Sequence, residues 1–176
     1  MNRILLVVLL IFSLTACKSK KRVVTKKSKS SKTVTATKTE NSSSTINYST
    51  AAKEVVNNAK QFDGVRYKYG GTTKKGMDCS GLVYTSFKQE NISLPRTTTD
   101  LSKTGDWIDV KQVQKGDLLF FATKKNSRTV NHVGIVTNSR VGNVEFIHAS
   151  TSKGVIVSNL AERYWYFTFV QARRVL

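Results

Sequence analysis

Between residues 50 and 176 the apolar positions change period part-way along the chain. Ala52, Val55, Val56, Ala59 and Phe62 recur at helical spacing, which predicts an amphipathic helix over residues 51–62. Gly64 and Gly70-Gly71 then punctuate a turn-rich passage. A second helix is predicted from Asp78 or Cys79 to about Glu90, with Leu82, Val83 and Phe87 facing inward and Pro95 marking a break after it. From Asp117 the texture becomes short strand-like runs: Leu118–Ala122, His132–Thr137, Val144–His148, Val155–Ser158 and Tyr166–Arg173. Turns are expected at Asn126, Asn138–Arg140 and Ser152–Gly154. Helices first and strands afterwards is an α+β order, with N-terminal helices packed on a C-terminal antiparallel sheet of about five to six strands.

The amino-terminal pattern is different. Arg3 is followed by an unbroken apolar run from Ile4 to Phe12. Those residues are too few to cross a hydrocarbon core, which needs about 20 in a helix. A positive start, a short apolar run and then small residues fit a secretory signal. A buried core helix would explain neither the position nor the abrupt polar boundary. The run ends Leu14-Thr15-Ala16-Cys17, which resembles the lipobox of bacterial lipoproteins. The resemblance implies a signal over residues 1–16 and an acylated Cys17 as the mature first residue, holding the protein on a lipid bilayer. Lys18, being non-acidic, implies the periplasmic side of the outer membrane where an organism has one. Ordinary secretion with a free Cys17 is the alternative.

Charge separates a third region. The chain has 29 Lys+Arg against 11 Asp+Glu over 176 residues. Nine of those cations, with Glu40 as the one anion, fall in residues 17–49, a Lys/Ser/Thr stretch without Gly, Pro or Trp. Too few apolar groups are present there to offset the entropy of ordering, so a disordered tether is expected, spanning roughly 30 Å. Its cations suit anionic lipid or wall polymer, and a plain solvated spacer is an equal reading. Nucleic acid is not expected, because no recognition motif is present and the protein is exported. Residues 50–176 are then one domain. Nothing points to a dimer, and a monomer is expected.

Chemistry concentrates in few residues. The chain has two cysteines and two histidines. That excludes a disulfide scaffold and four-cysteine metal sites. With Cys17 acylated, Cys79 is a leftover thiol in an exported protein, which tends to oxidise unless it has work. It sits in Gly76-Met77-Asp78-Cys79-Ser80-Gly81 at the predicted start of a helix, where the N-terminal dipole and a neighbouring imidazolium favour thiolate. A thiolate is a nucleophile for acyl transfer. A buried structural cysteine is the ordinary alternative. His132 opens one apolar run and His148 closes another, so neighbouring strands can bring them together. Cys79, His132 and His148 form either a nucleophile, base and orienter or a Cys/His/His zinc site. Their separations lack the short paired spacers of zinc ligands, so no metal is expected.

Five blocks in order resemble the NlpC-type cell-wall cysteine peptidases. They are Val65–Gly71 with Asp78–Val83, Leu94–Thr97, Lys115–Leu118, His132–Ile135 and Phe146–Ser150. The resemblance implies a papain-like fold without a cofactor. It also implies hydrolysis of peptidoglycan stem or cross-link peptides at bonds joining D- and L-configured residues. Carried over residue by residue, Cys79 is the nucleophile, His132 the base, and His148 its orienter. Tyr67 matches a tyrosine near the nucleophile that supports the oxyanion. Asp78, Ser80 and Arg96 match positions that touch substrate or, for Asp78 and Ser80, cap the helix. Amidase or acyltransferase chemistry, and a non-catalytic wall-binding lipoprotein, are the other readings.

Overall fold

The computed structural model describes the backbone of residues 40–176 and side chains from residue 48 onward. The predicted signal, Cys17 and residues 18–39 of the predicted tether lie outside the described residues. Helix α1 spans Glu40–Lys60. It therefore starts well before residue 51, and residues 40–49, predicted as tether, are helical. Their polar composition hid this, because the side chain that ties this end to the domain is Tyr48. Its hydroxyl lies 3.2 Å from both Asp117 Oδ1 and the Lys115 carbonyl, with Arg174 stacked over its ring. Burial, with help from the Asp117 charge, pushes the Tyr48 hydroxyl up to about 12.

After α1 come a minimal hairpin, β1 (Thr72–Thr73) and β2 (Gly76–Met77), and then α2 (Cys79–Lys88). A short α3 (Thr98–Leu101) follows Pro95, then β3 (Asp106–Ile108) and a 3₁₀ turn over Val110–Gln112. The remaining elements are β4 (Leu118–Phe121), β5 (His132–Arg140), β6 (Asn143–Ser150), β7 (Gly154–Asn159), α4 (Arg163–Thr168) and β8 (Phe169–Arg174). Six strands form one antiparallel sheet in the order β3-β8-β4-β5-β6-β7. The α+β expectation holds.

The sheet is buried on both faces, which is why β4 reads Leu-Leu-Phe-Phe rather than alternating with polar residues. Leu118 and Phe120 join Val133, Ile135 and Ile147 against Val55, Val56, Leu82, Val83 and Phe87 of α1 and α2. Leu119 and Phe121 pack on the opposite face with Phe146, Ala172 and Trp165. Burying side chains of this size contributes about 1.5–3 kcal/mol each before the entropy of ordering is set against it. Asp117, almost fully buried, is gripped through both carboxylate oxygens by Arg174 of β8, at 2.7 and 2.8 Å. That pair fixes the start of β4 to the end of the chain.

Two further sequence expectations change. Tyr166–Thr168 are helical, not strand: Trp165 is buried as an anchor while Tyr166 and Phe167 face solvent, and the Thr168 hydroxyl donates to the Tyr164 carbonyl at 2.8 Å. Their aromatic, strand-like composition is therefore on the surface of a helical turn. Asn138–Arg140 continue β5 in pairing with β6, and the reversal falls at Val141-Gly142, where Gly142 takes a positive φ of 74°. Strand β3 went unforeseen, because three residues are too few to display a period.

Candidate active site

Helix α2 begins at Cys79, with Asp78 as its N-cap. Asp78 Oδ1 accepts from the Gly81 N–H at 2.6 Å, and Oδ2 accepts from the Gly70 N–H at 2.6 Å. One carboxylate thus closes the first turn of the helix and pins the Gly70-Gly71 loop against it. Arg96 completes the knot: its guanidinium donates to Asp78 at 3.0 Å, to the Ser80 hydroxyl at 2.8 Å and to the Gly71 carbonyl at 3.4 Å. Burial raises the Asp78 carboxyl, but Arg96 and the two N–H donors outweigh it and hold it below its usual range. Gly81 must lack a side chain, because a Cβ there would collide with the Gly71 carbonyl. The Asp-Cys-Ser-Gly sequence is therefore a device for presenting Cys79 rigidly. The structure joins Asp78, Ser80 and Arg96 to one another around the first turn of α2, with Arg96 the most exposed of the three.

Cys79 is 7% exposed. Its sulfur lies 3.7 Å from the Thr98 hydroxyl, and the backbone N–H groups of Val133 and Ser80 favour its thiolate. The Val133 contact sets Cys79 beside the start of β5, whose first residue is His132. Burial pushes the thiol up, and the Thr98, Val133 and Ser80 donors only partly oppose it. The helix N-terminus and the neighbouring donors favour thiolate, and burial works against them.

His132 and His148 project toward Trp165 and Phe146. His132 Nε2 and His148 Nδ1 are 3.0 Å apart, and His148 Nε2 is 3.1 Å from the Ser158 hydroxyl. Trp165 lies nearly parallel to the His132 ring at 5.4 Å and edge-on to His148 at 4.6 Å, roofing the bond between them. Gly134 makes room: a Cβ there would sit 2.6 Å from the Phe146 ring and 3.2 Å from His148 Cβ. Burial drives His132 down to about 4, and burial with the neighbouring ring drives His148 down to about 3. Both imidazoles are neutral at neutral pH, so the expected imidazolium beside Cys79 is not the resting form. Among the described residues no group of three His, Cys, Asp or Glu side chains is arranged to hold a metal ion.

Residues 64–174 match the NlpC/P60 family. The chain belongs to that family. A probable endopeptidase NlpC homolog of Haemophilus influenzae is 45% identical over 114 residues, 64% of this chain and 57% of that protein. The murein DD-endopeptidase MepS/murein LD-carboxypeptidase of Escherichia coli K12 is 44% identical over the same share of each. The chain thus spans little more than half the length of these relatives. An NlpC/P60 family protein of Bacillus cereus has a solved structure that superposes with a TM-score of 0.65 at 32% identity, covering 71% of this chain and 40% of that one. The papain-like fold expected from the sequence is the fold of these NlpC/P60 neighbours.

Within this NlpC/P60 domain, Tyr67 stands on the segment bridged to Met77, just before Cys79. Burial raises its hydroxyl, and the Cys79 and Asp78 charges add to the effect, placing Tyr67 within electrostatic reach of the nucleophile. Three participants escaped the sequence reading. Thr98 was one threonine among many, and the Val133 N–H has no sequence signal. Ser158 was within reach of inference: Ile156 pairs with His148, so Ser158, two residues on, shares its face.

Proposed function

We propose that this protein is a peptidoglycan endopeptidase, a cysteine peptidase acting on stem or cross-link peptides of the cell wall. The observation that carries this reading is the Cys79 thiol at the first turn of α2, beside the strand that begins with His132, whose Nε2 is tied to His148. The activities for which the Haemophilus and Escherichia relatives are named point the same way.

The chemistry follows from the groups present. Cys79 Sγ attacks the scissile carbonyl carbon while His132 Nδ1, the ring nitrogen not engaged by His148, takes the thiol proton. Burial favours the neutral forms of both thiol and imidazole, so the proton moves from Sγ to Nδ1 as the nucleophile forms. The Cys79 N–H has no carbonyl one turn earlier in the helix and, with the Tyr67 hydroxyl, donates to the oxyanion. His132 then passes its proton to the leaving amine. Water, activated by the same nitrogen, hydrolyses the thioester and regenerates the thiol. Arg96, held by Asp78 and Ser80, offers its exposed edge to the peptide.

The bond joins residues of which at least one is D-configured. The sequence reading favours a D,L bond, whereas the Escherichia relative is named for DD-endopeptidase and LD-carboxypeptidase activities. Digesting purified peptidoglycan with the full chain and weighing the products identifies the bond; an unchanged muropeptide pattern would overturn the enzyme reading.

The protein is proposed to work as a monomer in the cell envelope, anchored by acylated Cys17 on a tether that lets it reach the wall. Export and anchoring rest on the amino-terminal sequence pattern. Cys17→Ala is expected to release the protein from membrane fractions, and retention there would remove the anchor from the proposal.

A further inference from the structure

We propose that Ser158 is a positioning residue that sets the tautomers of the histidine pair, accepting a hydrogen bond from His148 Nε2 and so leaving His132 Nδ1 without a proton. The inference rests on the reading of Cys79 as nucleophile and His132 as its base.

The geometry allows only two self-consistent patterns along Ser158, His148 and His132, because each of the two contacts holds one hydrogen. In the first, His148 Nε2–H donates to Ser158 Oγ. His148 Nδ1 then carries a lone pair, accepts from His132 Nε2–H, and leaves a lone pair on His132 Nδ1. In the second, Ser158 donates to His148 Nε2, His148 Nδ1–H donates to His132 Nε2, and His132 Nδ1 is protonated. Only the first pattern gives Cys79 a base.

Ser158 favours the first. His148 is fully buried, so an Nε2–H needs an acceptor, and Ser158 Oγ stands 3.1 Å away. Ser158 is 8% exposed and lines a cleft of about 330 Å³ that also borders Lys153, Glu162 and Tyr164. Its own hydroxyl proton can therefore turn to solvent in the cleft while its oxygen accepts from the imidazole. Without the hydroxyl, the first pattern strands a buried N–H, and the pair is expected to switch to the second. Ser158 thus completes a hydrogen-bonded line of three residues, His132, His148 and Ser158, that all border the cleft.

The test compares Ser158→Thr, which keeps the hydroxyl, with Ser158→Val, which has threonine's shape without it. The full chain contains two histidines, so labelling histidine with ¹⁵N reports both rings alone. At neutral pH the wild type and the threonine variant are expected to show an unprotonated His132 Nδ1, and the valine variant a protonated one. With peptidoglycan peptides as substrate, the threonine variant is expected to keep kcat within about threefold. The valine variant should lose about 10²-fold in kcat at unchanged KM, the low end of what a positioned general base contributes. Equal kcat in the two variants, high or low, overturns the proposal, as does a His132 tautomer that does not differ between them. If the wild type itself turns over no peptide, the enzyme reading fails, and the nitrogen shifts still decide the role of Ser158.

Discussion

His132 Nε2 and His148 Nδ1 meet at 3.0 Å under the indole of Trp165, so the one nitrogen of His132 left for chemistry is Nδ1. His148 is fully buried, and His132 is partly so. The consequences of this arrangement for acid stability, for the indole and for the glycine beneath it can each be measured.

Acid is expected to destabilise the fold through the two imidazoles. In the unfolded chain a histidine takes up its proton near pH 6.5. In the folded protein His132 holds out to about 4 and His148 to about 3. Between those values the unfolded chain binds more protons than the folded one, so stability falls as pH falls from about 6.5 toward 3. The Asp78 carboxyl, held low by Arg96 and its backbone donors, adds a further loss at the acid end. Melting temperature measured from pH 7 to 4.5 should drop steadily, and the drop should be shallower in His148→Gln. A flat profile would mean that the imidazoles take up protons as readily in the fold as in the unfolded chain.

Trp165 is 9% exposed and touches both rings. Trp165→Ala is expected to cost about 3 kcal/mol or more of stability through the cavity it leaves. It should also admit water to the His132–His148 bond and move both imidazole titrations up toward 6.5. An NMR titration of the two rings checks this. Unmoved midpoints would assign Trp165 a packing role alone.

Gly134→Ala pushes a methyl group into the space between Phe146 and His148. The expected stability cost is about 1–3 kcal/mol, typical of overpacking. Turnover should fall by more than that loss explains, because His148 cannot move without displacing His132. Full activity in a folded Gly134→Ala variant would show that the pair tolerates a shift.

Much of the fold was legible because it is periodic. Val55, Val56 and Ala59 on α1, and Leu82, Val83 and Phe87 on α2, face the core as their spacing requires. The sequence order of helices and strands likewise carried the α+β arrangement. What could not be read depends on neighbours remote in sequence. The first ten residues of α1 look like tether until Tyr48 meets Asp117 and Arg174. Tyr166–Thr168 read as strand because composition does not reveal which aromatic is buried.

The candidate site divides in the same way. Cys79, His132 and His148 stand out by type. Whether Cys79 is thiol or thiolate depends on burial, which composition does not give and which pushes the thiol up here. Thr98 and Ser158 enter only through contacts across the fold.

The central claim is that Cys79 carries the hydrolysis. Purified full-length protein and its Cys79→Ala variant, matched by melting temperature, should be incubated with defined muropeptides and the products followed by mass spectrometry. The account predicts cleavage by the wild type, none by a variant that melts within about 2 °C of it, and a thioester adduct on Cys79 when the wild type is quenched early. Residual cleavage by the folded Cys79→Ala variant would contradict it.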